Sequence, residues 1–219
     1  GSHIVDTDTN DIIQTNSFPI HCLDEVTGNA FYMNYARVHR VGGYGYVGLE
    51  DIKALDDIPS DCGIFVGNIK TSQKKILVSI SDIANCNEES AVITGYPHYI
   101  THLCLNPAKD RIAFLHRYRL SDGGENTRLM TVDVTGSDLR CIAKGFLSHF
   151  TWLSNDKIFI WGQKSSGVSN LRESKLYNNK VFSLGIKLAK FFFRNFLSKS
   201  VNAINKKTFL HITDSNMPN

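Results

Sequence analysis

Apolar residues recur at alternate positions in short runs, separated by Gly, Asn, Asp, Pro and Ser clusters, which is the pattern of strands half-buried on antiparallel sheets. Residues 20–23 and 30–35 read as a hairpin closed by Thr27-Gly28-Asn29, whose Gly and Asn tolerate the positive φ of a tight turn. A second hairpin joins 63–69 to 75–80 through Lys70-Thr71-Ser72-Gln73. Strands follow at 99–105, 111–119, 127–134 and 139–144, and two more at 148–153 and 157–161. The expected class is all-β.

Part of this pattern occurs twice. Thr101-His102-Leu103-Cys104-Leu105-Asn106 and Ser148-His149-Phe150-Thr151-Trp152-Leu153 each place a hydroxyl and a histidine at the head of an apolar run. A polar turn and a second strand follow each. The spacing matches a four-stranded propeller blade, usually about 40–50 residues long. His-led strands then read as inner strands, and the two upstream hairpins as outer pairs. About three blades, one of them incomplete, fit this length, fewer than the roughly four to eight that close a ring. The remainder is expected beyond the termini or from another subunit. Gly1-Ser2-His3 reads as a tag remnant, leaving 4–219 as one propeller fragment.

Residues 164–207 depart from the strand pattern. Phe182, Ile186, Ala189, Phe193 and Phe196 fall on one helical face, with Lys187, Lys190, Arg194 and Lys199 supplying charge. This predicts a helical insertion, after which an outer strand resumes at 208–212. Phenylalanines at 191–193 occupy more than one face, which favours burial, a protein partner or self-association through 182–199 over membrane contact.

With 219 residues, 42% hydrophobic and 21% charged, the composition is that of an ordinary globular chain. A net charge of +3 is too small to argue for nucleic acid. No apolar stretch is long enough to span a bilayer. Five scattered cysteines without a CxxC point to reduced thiols and a cytoplasmic setting. P-loop, dinucleotide-binding, G-x-S-x-G and HExxH motifs are all missing, which removes several enzyme classes.

His102 and His149 are the candidate metal ligands. Equivalent inner-strand positions face one another around a channel, where two imidazoles suit a divalent metal or an anion. The alternative is that each staples neighbouring blades. His98 is placed either at the same channel mouth or on a surface loop. His116, Arg117 and Arg119 end a strand, and the arginine forks suit carboxylate or phosphate unless they are simply solvated. Arg37, His39, Arg40, Tyr44 and Tyr46 surround Gly42-Gly43, a composition fit for a sugar platform or for a loop packed beneath the sheets.

The run His98…Thr101-His102-Leu-Cys-Leu-Asn-Pro…Arg111-Ile-Ala-Phe-Leu-His116, with Thr131-Val-Asp-Val-Thr-Gly-Ser-Asp-Leu-Arg140 and Ser148-His149-Phe-Thr-Trp-Leu, resembles TolB-like propellers, most of all the oligogalacturonate lyase type. That resemblance implies a divalent metal, typically manganese, held by channel histidines. The metal would neutralise a uronate carboxylate during β-elimination, with His102 and His149 as ligands and Arg117 or Arg119 on a carboxylate. Arg37 to Tyr46 and the basic helix are not features of those lyases. The expected function is a non-catalytic propeller module binding an acidic glycan or a protein partner, in surface polysaccharide metabolism. A metal-dependent (Mn or Zn) lyase-like enzyme is the alternative.

Overall fold

In a computed structural model, residues 1–44, 48–49, 56–86, 95–119, 124–164 and 208–214 are described. Antiparallel sheets dominate. β1 (Ser2–Val5) and β2 (Ile12–Asn16) form a ribbon in which Ser2 and His3, expected to be a tag remnant, pair with Asn16 and Thr15. β3 (Cys22–Asp24), β4 (Asn29–Met33), β5 (Gly63–Asn68) and β6 (Lys74–Ser79) form a second sheet in chain order. The two upstream hairpins are therefore halves of one sheet, joined where β4 pairs with β5, and not separate outer pairs.

β7 (His98–Leu105), β8 (Arg111–Arg119), β9 (Glu125–Asp133), β10 (Arg140–Trp152), β11 (Lys157–Lys164) and β12 (Thr208–Thr213) are hydrogen-bonded in sequence as a third sheet. Strands expected separately at 139–144 and 148–153 are one strand, β10. Its two halves have different partners: 140–145 pair with β9 and 145–152 with β11. Gly145 belongs to both ladders and has φ +145°, a conformation open to glycine and strained for other residues.

The sheet folds over at this point. Leu115 and Leu129 of β8 and β9 pack in one buried cluster with Leu147, Trp152, Ile158 and Ile160 of β10 and β11. In a flat sheet β8 and β11 would stand three strand spacings apart, about 14 Å. Trp152 closes the fold by donating Nε1–H to the Cys104 carbonyl at 3.0 Å. The opposite face of β7–β9, with Ile100, Ile112, Phe114 and Met130, packs against Phe31, Ile64 and Val78 of the β3–β6 sheet. At the far end Asp214, its carboxylate buried, accepts from Arg111 Nε and from Arg140 at 3.2 Å, fastening the end of β12 to β8 and β10.

Two helices interrupt the strands. α1 (Tyr35–Gly42) starts where Asn34 Oδ1 accepts from the backbone N–H of Ala36 and Arg37, and stops at Gly43 with φ +75°. The Arg37–Gly43 stretch, read from composition as part of a sugar platform or a packed loop, is thus mostly helix. α2 (Ile80–Asn85) has a capping box between Ser79 and Asp82. Among the described residues no helix is long and apolar enough to cross a membrane, and no closed ring of sheets occurs. The expected helical insertion, and the self-association surface at 182–199, lie outside the described residues. The strand expected after it is β12, paired with β11.

Candidate functional site

The repeated histidines occupy matching irregularities. The β7–β8 register slips between Thr101 and Cys104, and the β10–β11 register between Ser148 and Phe150. His102 and His149 sit in these bulges with φ +59° and +39°. A left-handed conformation at a residue with a Cβ costs on the order of 1–2 kcal/mol. The bulges turn the two rings toward each other, edge to face, with centroids 6.0 Å apart.

His149 Nδ1 is 2.7 Å from Ser148 Oγ, whereas His102 Nδ1 is buried with no partner. Burial first, then the positive fields of Arg117, His149 and His21, push the His102 imidazole down to about 4, so it is neutral at pH 7.

Arg117 stands on the neighbouring strand. Tyr99 pairs with Arg117 and Thr101 with Leu115 in the β7–β8 ladder, so Tyr99, Thr101 and Arg117 share one sheet face. Arg117 donates to Glu125 at 2.9 Å, and the Tyr99 hydroxyl donates to the other oxygen of Glu125. Burial, followed by this carboxylate, raises the Tyr99 phenol. Tyr44 packs edge-on against Tyr99 with centroids 6.5 Å apart, its hydroxyl 3.5 Å from Arg117. Arg117 Nε and Thr101 Oγ1 are buried without partners, as is His102 Nδ1. Three unsatisfied polar atoms in one cluster are unusual, because a buried orphan costs about 1–3 kcal/mol.

The other candidates have different surroundings. His98 and His116 are both fully buried and joined at 2.8 Å from Nδ1 to Nε2, so His98 is not a surface-loop residue. Tyr118 stacks on His98 at 5.2 Å. Arg37 is 1% exposed and donates to the carbonyls of His98, Asp56 and Asp57. It ties α1 to the start of β7 and to the segment at 56–57, and offers no sugar-stacking surface. The His39 ring bonds the Tyr44 carbonyl. Arg119 donates to the Gly42 carbonyl at 3.0 Å and so caps α1. Arg40 is exposed on α1, and Tyr46 lies outside the described residues. The proposed platform is therefore dispersed: of its described members, only Tyr44 reaches the His102 region.

Two participants escaped the sequence reading. Arg128 holds His116 from β9. His21 stands before β3 and contributes to the field on His102, with its Nδ1 3.0 Å from the Tyr35 hydroxyl. The order Ile20-His21-Cys22-Leu23 repeats the His-led pattern and was the available signal for it. The thiols are unsuited to nucleophilic work: burial pushes Cys22 up to about 12 and Cys141 up to about 11.

A divalent ion needs more donors than this pair supplies. Among the described residues no three His, Cys, Asp or Glu side chains come together within reach of one ion, so His102 and His149 do not form a complete metal set there. Comparison with protein-family models, curated proteins and solved structures yields no match.

Proposed function

We propose that the chain is a non-catalytic β-propeller-type module that binds an acidic glycan at the His102–His149–Arg117 cluster. On this reading the β3–β6 sheet, β7 to the first half of β10, and the second half of β10 to β12 are successive blades. The change of partner along β10 at Gly145 supports it, because the strand that closes one four-stranded unit, β7 to β10, runs directly into the first strand of the next. The observation that carries the binding assignment is the set of buried orphan atoms: Thr101 Oγ1, His102 Nδ1 and Arg117 Nε. A carboxylate satisfies a guanidinium N–H and a hydroxyl together, and a hydroxylated ring supplies a donor for a neutral imidazole nitrogen.

The lyase-like alternative draws on the 6.0 Å separation of the two rings, short enough for a shared ion. It requires further ligands from outside the described residues. Manganese titration followed by calorimetry, with the His102→Ala/His149→Ala double variant as control, separates the two readings.

The binding reading is tested by calorimetric titration of an acidic and a neutral oligosaccharide of equal length. Thr101→Val removes only a hydroxyl that has no partner. It is expected to leave stability unchanged or raised while weakening the acidic ligand about tenfold, the effect of one lost hydrogen bond to a charged group. Equal affinity for both ligands, or no binding of either, counts against the assignment.

A further inference from the structure

A cleft of about 590 Å³, lined by none of the histidines, lies between β5, β6 and the turn that joins β9 to β10, with Asn29 of β4 at its border. Its volume is in the range of small-molecule sites, about 300–1,000 Å³. Val66 and Val134 give it an apolar floor, while Asn68, Gln73, Lys74, Lys75 and Thr135 supply polar groups.

These groups carry an uncompensated charge. Among the described residues neither Lys74 nor Lys75 has an ion-pair partner, and both are exposed at the sheet edge. Asp133, next to Val134, and Asp24, paired with Asn29, are committed elsewhere. Asp133 takes bonds from the N–H and hydroxyl groups of Thr135 and Ser137 within its own turn. Asp24 accepts from Val26 and Thr27 and faces Lys109 at 3.9 Å.

The walls are preformed. Asn68 Oδ1 accepts from the N–H groups of Lys70 and Thr71, and its Nδ2 donates to Asn29 Oδ1 at 2.9 Å and to the Thr27 carbonyl at 3.1 Å. The β9–β10 turn is held close because Gly136 passes Leu77 so tightly that a Cβ would lie 2.6 Å from its carbonyl oxygen. Lys75, on the same face as Val66 and Asn68, supplies one ammonium; with the exposed Gln73 carboxamide, the Thr135 hydroxyl oxygen as an acceptor and an apolar floor it matches one chemistry: a hydroxylated small molecule bearing an anionic group. We infer that this cleft is a second binding site, separate from the histidine cluster, for an anionic sugar unit whose charge is a phosphate or a carboxylate.

The test follows the side-chain amide resonances of Asn68 and Gln73 while glucose 6-phosphate, glucuronate, inorganic phosphate and glucose are titrated in turn. The expected result is a saturable shift with glucose 6-phosphate or glucuronate, at least about tenfold weaker with inorganic phosphate and glucose. Glucose 6-phosphate alone would assign a phosphate, and glucuronate alone a carboxylate. Lys75→Glu is expected to abolish the shift. Lys75→Met, which keeps the aliphatic stem, is expected to weaken it at least about tenfold. Thr101→Val, at the other site, is expected to leave it unchanged. No saturable shift with either charged sugar, or an unaltered shift in Lys75→Glu, overturns the proposal. Loss of the shift in Thr101→Val would instead assign it to the histidine cluster and equally overturn it.

Discussion

Arg128 Nε lies 3.0 Å from His116 Nδ1, in the fully buried interior of the β7–β9 sheet. A guanidinium only donates, so His116 Nδ1 must accept and the ring proton must sit on Nε2. From there it donates to His98 Nδ1 at 2.8 Å, which leaves the His98 proton on its own Nε2. One arginine thus fixes the tautomers of two buried histidines and holds both neutral. Its other nitrogens satisfy the Ile83 carbonyl at 2.6 Å and the Cys86 carbonyl at 3.2 Å, at the end of α2.

Replacing Arg128 with Met removes the partner of His116 Nδ1 and one donor from each of the Ile83 and Cys86 carbonyls. Arg128→Met is expected to cost on the order of 3 kcal/mol, the range for breaking a buried charged network. Urea denaturation read by far-UV circular dichroism gives the value, and a loss under about 1 kcal/mol would mean that the network is not the support described.

Acid is expected to destabilise the fold well before the carboxylates titrate. Burial, then Arg128 and His98, hold His116 well below the usual imidazole value, and His102 is held at about 4. Unfolded histidines take up a proton near pH 6.5. Below that pH the unfolded chain therefore binds more protons than the folded one, and stability falls as pH falls. For His102 the loss continues down to about pH 4. Each such histidine contributes up to about 1.4 kcal/mol per pH unit. Urea midpoints at pH 7, 6 and 5 should drop in order, with a shallower drop in His102→Asn. A flat profile would show that the histidines are not held neutral.

Gly145→Ala tests the strand crossover. At φ +145° an added Cβ is expected to cost about 1–3 kcal/mol, although the new side chain is small. Thermal unfolding read by the fluorescence of the two tryptophans, Trp152 and Trp161, measures it, because Trp152 packs across the two halves of the folded sheet. No change in stability would mean that the backbone there relaxes freely.

Strand positions were legible because short apolar runs, such as Ile112–Leu115 of β8 at Arg111–Arg119, are bounded by turns rich in Asp, Gly and Asn. Their assembly was less so. Lys144–Gly145–Phe146 reads as a gap between strands at 139–144 and 148–153, because glycine interrupts a strand pattern, and nothing local marks it as one strand that exchanges β9 for β11. α1 was hidden because its caps are single residues, Asn34 and Gly43, inside a segment whose Gly, Tyr and Arg content suggested a loop. The matched roles of His102 and His149 could be read from repetition. The inward turn of Arg37 could not, since its partners are backbone carbonyls, which leave no mark on sequence.

The acidic-ligand assignment is examined most directly by following the ring nitrogens of His102 by NMR during a pH titration, free and with saturating trigalacturonate. In the free chain the ring should titrate near 4. With the ligand bound, a carboxylate beside the ring stabilises imidazolium, so the titration should move upward, while a neutral trisaccharide leaves it unchanged. A His102 titration that the acidic ligand does not move, or that the neutral one moves equally, would contradict the account.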